Sequence, residues 1–272
     1  MATLARVEND LDRCLRAHRD AGTLALAMYL TAGYPDAAST VRWGPLLAES
    51  GAAIVELGVP FSDPLGDGPT IQRSSQRALA AGMTMRGSLE IATSIHAQTR
   101  AAIVIMSYCN PIMRMGLQTF AECAASAGVS GVIVPDLPVE EAGELRESLA
   151  ENGVHLIYLL SPESTAARIE STTKVAGGFI YCMALTGVTG ARTDLAAGLP
   201  EFLARVRALT TVPLVVGFGI SRPEHLAQLR GAADGAVVAS ALVDLVDRTP
   251  ENDRDAAIEA YVRELHASCS VS

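Results

Sequence analysis

Apolar positions along the chain fall into short, nearly unbroken runs, separated by longer stretches in which they recur every three or four residues. The runs at 23–31, 52–57, 101–106, 131–135, 154–159, 178–183, 212–217 and 235–239 are rich in Val, Ile, Leu and Ala and lack polar alternation. That is the pattern of parallel strands covered on both faces. Helix signals lie between them. Asp36 is placed to cap a helix that ends before Gly51, and Ser161-Pro162 offers a cap and a first-turn proline. Ser221-Arg222-Pro223-Glu224 reads as a capping box, and Thr249-Pro250 opens a last helix with Ile258, Val262 and Leu265 on one face. Eight strand–helix units in a chain of 272 residues predict one α/β domain over 1–272, a closed (β/α)8 or TIM barrel. A doubly wound sheet would more often show G-x-G-x-x-G after its first strand, and that pattern is absent. A further helix over 2–20, with Leu4, Val7, Leu11 and Leu15 on one stripe, is expected to cover the N-terminal mouth of the barrel.

Composition narrows the partners. No apolar run approaches the ~18 residues of a membrane span, and Arg6, Glu8, Asp10 and Asp12 leave no room for a signal-peptide apolar segment. The cytoplasm is the default expectation. A net charge of −9 argues against nucleic acid or an anionic membrane surface as partner. The five cysteines, Cys14, Cys109, Cys123, Cys182 and Cys269, show no paired spacing and read as reduced thiols. Cys109 and Cys182 lie in apolar strand contexts, where packing is a safer reading than catalysis.

Active sites of such barrels form at the C-terminal ends of the strands. The second strand delivers Glu56 there, at the point where strand becomes loop, and its Gly- and Pro-punctuated loop adds Asp63 and Asp67. Two acids that can face each other among Leu57, Val59, Phe61 and Leu65 suit proton transfer, if their surroundings push their proton affinities apart. The sequence Gly217-Phe218-Gly219-Ile220-Ser221 after the seventh strand, with Ser240 opening the helix after the eighth, suits a phosphate. Lys174, the chain's only lysine, precedes the sixth strand at the opposite mouth, which speaks against a Schiff-base aldolase. The histidines His18, His96, His155, His225 and His266 fall in helices or at a strand start, so no catalytic metal site is expected. What remains is acid/base chemistry by carboxylates on a phosphorylated substrate with an apolar part, for which Phe61, Phe218, Tyr29 and Leu185 could line a pocket.

The segment 56–72, ELGVPFSDPLGDGPTIQ, resembles the signature of the alpha-subunit family of tryptophan synthase. The likeness extends to LTAGYP at 30–35, YCNP at 108–111, PDLP at 135–138, GVTG at 187–190 and GFGIS at 217–221. The resemblance implies retro-aldol cleavage of indole-3-glycerol phosphate to indole and glyceraldehyde 3-phosphate in tryptophan biosynthesis. It implies Glu56 as the acid/base on the glyceryl side and Asp67 as acceptor of the indole N–H. It places Tyr181, Phe218 and Ile71 around the substrate, and Gly190, Gly219 and Ser240 at the phosphate. Thr189 would bond Asp67 when the loop over residues 187–198 closes. It further implies docking on a beta subunit in an alpha2beta2 assembly through Asp63, Pro64, Asn110 and Pro138, with pyridoxal phosphate held by that partner and no cofactor in this chain. Ala239 and Ala184 stand where the family often has glycine and serine. A stand-alone lyase, or a binding subunit with weak catalysis, are the alternatives.

Overall fold

The structure is a computed structural model and describes residues 8–184 and 198–270. Eight strands pair in sequence order and close on themselves: β1 (Ala25–Thr31), β2 (Ile54–Gly58), β3 (Ala102–Met106), β4 (Val129–Ile133), β5 (His155–Leu160), β6 (Ile180–Met183), β7 (Leu214–Gly217) and β8 (Gly235–Val238). Every pairing, including β8 with β1, is parallel. The helices of the first half are α1 (Asp10–Asp20), α2 (Ala37–Glu49), α3 (Pro69–Ala80), α4 (Met85–His96), α5 (Cys109–Met115) and α6 (Leu117–Ser126). Those of the second half are α7 (Gly143–Glu151), α8 (Ala166–Val175), α9 (Leu199–Arg207), α10 (Pro223–Leu229), α11 (Ser240–Arg248) and α12 (Arg254–Ala267). The barrel expected from the apolar runs is present, with strand ends moved by a few residues.

Alternation along each strand divides its side chains between the barrel interior and the helical shell. Ala25 and Ala27 of β1, Ile54 of β2, Ala102 and Val104 of β3, Tyr181 of β6 and Val215 of β7 belong to one buried interior cluster. Leu11 and Leu15 of α1 join that cluster, 0% and 1% exposed. Truncating such a buried leucine to alanine typically costs about 2–5 kcal/mol. The Asn9 side chain donates to Ser130 O at 2.8 Å and Gly153 O at 2.9 Å. These bonds seat α1 against the starts of β4 and β5.

Three helix starts differ from the sequence expectation. α1 begins at Asp10 because Asn9 and Asp12 cap each other's backbone in a capping box, whereas Leu4 and Val7 lie outside the described residues. α8 takes its cap from Thr165, which accepts from Arg168 N, while Ser161 to Ser164 form a separate turn. α10 lacks the expected box, since Ser221 N–H donates to the buried His225 Nδ1 at 3.2 Å. Asp36 does cap α2, through Ser39 N at 2.7 Å.

A cleft of about 470 Å³ lies at the N-terminal mouth and is lined by Arg19, Arg207, Arg230 and Asp234. Its guanidiniums are engaged structurally. Arg19 pairs with Asp234 at 2.9 Å and Arg207 pairs with the other oxygen. They also donate to Thr211 O and Val212 O, and Arg230 donates to Ser270 O at 2.6 Å. These cations satisfy carbonyls of the loop before β7 and of the segment after α12, and so tie the N-terminal mouth of the barrel together.

Candidate active site

Glu56 sits within β2, in register with Tyr29 of β1 and Val104 of β3, and not at the strand end where the sequence reading put it. It follows Ile54 by two residues, so it shares the interior face, and only 2% of it is exposed. Burial pushes its carboxyl up to about 8, with the Asp67 charge adding to the effect. Water solvates the ionised form best, so a carboxyl removed from water keeps its proton.

Asp67 reaches the same site from the loop after β2. A tight turn shapes that loop, with Asp67 N–H donating to Pro64 O at 3.1 Å. Gly68 and Pro69 then open α3, proline occupying the first turn where its missing N–H is not needed. The Gln72 amide donates back to Asp67 O at 2.9 Å. Asp67 is 8% exposed. Burial raises its carboxyl to about 6, and a hydrogen bond from the Tyr108 hydroxyl restrains the rise. Tyr108 Oη in turn accepts Gly66 N–H at 3.0 Å, and its ring lies 5.3 Å from Phe61. Both carboxyls therefore hold their protons more tightly than exposed acids do, Glu56 more tightly than Asp67.

Two tyrosine rings wall the interior beside them. A Cβ added at Gly58 would lie 2.0 Å from Tyr29 Oη, and one at Gly217 would lie 2.0 Å from Tyr181 Oη. Glycine at these strand positions is what lets each ring lie across its neighbouring strand. Tyr181 is buried, and the charges of Glu56 and Asp67 add to burial in raising its hydroxyl well above the usual range. Phe218 meets it edge-on at 5.8 Å and holds φ +67, a conformation costing a phenylalanine roughly 1–2 kcal/mol. Gly219 follows with φ +91 and is exposed. Ser240 is the exposed first residue of α11, preceded by Ala239 at the cap position without a side-chain cap bond. Ile71 lies buried in the first turn of α3.

The expected partner-facing residues also collect at the C-terminal end. Asp63 and Asn110 are exposed, Pro64 and Pro138 half-buried. Leu65 and Met113, beside Asp63 and Asn110 in sequence, are 87% and 64% exposed. Leu185, Thr189 and Gly190, with all of the loop expected to close over residues 187–198 except Gly198, lie outside the described residues. Burial pushes the Cys182 thiol up to about 12 and raises that of Cys109, as packing thiols require and nucleophiles do not. Among the described residues, no three His, Cys, Asp or Glu side chains are grouped to hold a metal, and no helix is long and apolar enough to cross a membrane. Tyr108 is the residue whose part the sequence reading did not assign; nothing in its spacing announces contact with Asp67.

Comparison with known proteins identifies the family and the fold. The family described as Tryptophan synthase alpha chain matches residues 15–270. The tryptophan synthase alpha chain of Chloroflexus aurantiacus is 48% identical over 248 residues, covering 91% of this chain and 93% of that protein. That of Geobacter sulfurreducens is 48% identical over 241 residues, covering 89% and 91%. Among solved structures, Mycobacterium tuberculosis tryptophan synthase superposes with a TM-score of 0.90 at 35% identity, over 98% of this chain and 100% of that one. The alpha chain from Legionella pneumophila gives 0.87 at 32% identity, over 97% and 98%.

Proposed function

The chain belongs to the tryptophan synthase alpha chain family, and from that premise we propose how its residues perform the family's reaction, the lyase cleavage of indole-3-glycerol phosphate to indole and glyceraldehyde 3-phosphate. The observation that carries the proposal is the pair of buried carboxyls with proton affinities set apart, Glu56 near 8 and Asp67 near 6. Protonated Glu56 gives its proton to indole C3, which makes the ring an electron sink. As carboxylate it then takes the glyceryl hydroxyl proton while the C–C bond breaks and its electrons return to the ring. Ionised Asp67 accepts the indole N–H and stabilises the positive charge that develops there. Phe218, Tyr181 and Ile71 enclose the indole. Gly219 and the N-terminal amides of α11 at Ser240 hold the phosphate.

The family and its solved complexes support a beta subunit as partner. We place it on the face bearing Asp63, Pro64, Asn110 and Pro138, where exposed Leu65 and Met113 offer apolar surface. The assembly is alpha2beta2, cytoplasmic, with pyridoxal phosphate in the beta subunit. Lys174, the lysine a Schiff base would need here, is exposed near the end of α8 and paired with Glu170.

The test is indole release from indole-3-glycerol phosphate by the purified chain, with and without a tryptophan synthase beta subunit. Slow release that rises sharply with the partner is the expected result. Fast release indifferent to the partner means a stand-alone lyase. Bound substrate with no release in either case would leave a binding subunit.

A further inference from the structure

A charged network on the outside of the barrel joins the two ends of this site. α3 begins two residues after Asp67, and its Gln72 holds the Asp67 backbone. α11 begins at Ser240. Ser240, Asp244 and Asp247 stand at i, i+4 and i+7 along α11, so they share one face, and α11 packs against α3. Across that contact Thr70 Oγ1 donates to Asp244 Oδ1 at 3.1 Å, and Arg73 Nη2 donates to the same oxygen at 3.1 Å. Arg73 also donates to Asp247 Oδ2 from Nε at 3.0 Å and from Nη2 at 2.5 Å. The Tyr34 hydroxyl, from the loop after β1, donates to Asp247 Oδ1. Arg77 donates to Tyr34 Oη at 3.1 Å and lies 5.1 Å from the centre of its ring. Partial burial alone would raise the Asp247 carboxyl, but Tyr34 and Arg73 hold it below the usual carboxylate range.

A single exposed ion pair adds little to stability. A planar guanidinium gripping two carboxylates, one of them also held by a tyrosine, fixes a geometry instead. We propose that Arg73 and Asp247 are positioning residues for the lyase reaction: they lock α3 to α11 and so set the spacing between Asp67 and the phosphate cradle at Ser240. The proposal rests on the roles given above to Asp67 and Ser240. A substrate held at its phosphate can align its indole with Asp67 only if that spacing is right. Binding at the phosphate is then converted into orientation at the reacting end.

The test compares Arg73→Gln and Asp247→Asn with the parent chain, each with saturating beta subunit, on indole-3-glycerol phosphate and on its dephosphorylated analogue indole-3-glycerol. The expected result is a roughly tenfold loss of kcat on the phosphorylated substrate, with KM little changed and no loss on the analogue. Arg73→Lys recovers part of the loss. Equal losses on both substrates would show a merely structural role and overturn the proposal, as would unchanged kcat on both. Ser240→Asp serves as the control, because its added charge should raise KM for the phosphorylated substrate alone. If it does not, the placement of the phosphate fails, and the network is not what has been refuted.

Discussion

A chain carrying Glu56→Gln keeps nearly the shape of the protonated acid but cannot ionise, which separates what Glu56 does for catalysis from what it does to the fold. The native carboxyl is raised from 4.5 to about 8 by burial and by Asp67. Between those values the folded protein holds a proton that the unfolded chain releases. Stability therefore falls as pH rises through the window, and the loss is complete above about 8. A rise of this size corresponds to a ceiling of roughly 4–5 kcal/mol. The substituted amide has no proton to lose, and the other titrating groups are common to both proteins, so the difference between the two isolates this term. Urea unfolding at about pH 4 should find the two equally stable. At about pH 9 the variant should be more stable by several kcal/mol, each worth roughly 2–4 °C in Tm for a chain of this size. Indole release should be abolished at every pH. A stability difference that does not change with pH, or a variant less stable at about pH 9, would refute the claim that Glu56 is buried at the expense of its charge.

Tyr108→Phe removes the hydroxyl that restrains Asp67, so the acidic limb of the kcat/KM profile should move up by roughly one pH unit; an unmoved limb would detach Tyr108 from the chemistry. Gly217→Ala forces a methyl to within 2.0 Å of Tyr181 Oη, and should cost about 1–3 kcal/mol along with at least tenfold in indole release; wild-type activity would mean the Tyr181 ring is free to move. Asp234→Asn acts at the other mouth. Burial works against the Asp234 charge, but Arg19, Leu214 N–H and Arg207 hold its carboxyl below the usual range. Its contribution is therefore present above about pH 4 and lost as pH falls further, and the variant should lose about 2–4 kcal/mol at neutral pH with kcat unchanged. A change in kcat without loss of stability would contradict the separation of the two ends.

The elements that the sequence made legible are those built from short-range regularity. Buried parallel strands leave unbroken apolar runs, so all eight were readable, and the Gly/Pro loop after β2 announced that Glu56 and Asp67 come from neighbouring backbone. Less legible was anything decided by contact across the barrel. Glu56 lies in the middle of β2, on the interior face with Ile54, because the strand runs on to Gly58 where the glycine and proline of the sequence suggest that the loop has begun. Ser161 and Ser221 carry cap chemistry in sequence, but the turn at Ser161–Ser164 and the buried His225 claim those backbone groups first. Tyr108 reaches Gly66 across 42 residues, and Arg73 reaches Asp247 across 174. No local pattern encodes either pairing.

The residues that break local rules gather at one end. Phe218 holds a left-handed backbone, Glu56 keeps a carboxyl where an aliphatic side chain would pack, and Tyr29 and Tyr181 need glycines beneath their rings. The N-terminal end obeys the rules: a capped helix packs Leu11 and Leu15 into the interior cluster, and Asp234 is paired on both oxygens. This division follows from what each end must do. A proton donor active near neutrality must be desolvated, and desolvation destabilises the fold wherever it is imposed. An enclosing aromatic wall demands close approaches that only particular backbones allow. The closed end has no such obligation, so it can be selected for packing and pairing alone, and its stability offsets strain that the open end cannot shed without losing the acid. Substitutions that relieve the open end should therefore stabilise the protein and slow it, whereas those that weaken the closed end should destabilise it and leave its rate unchanged.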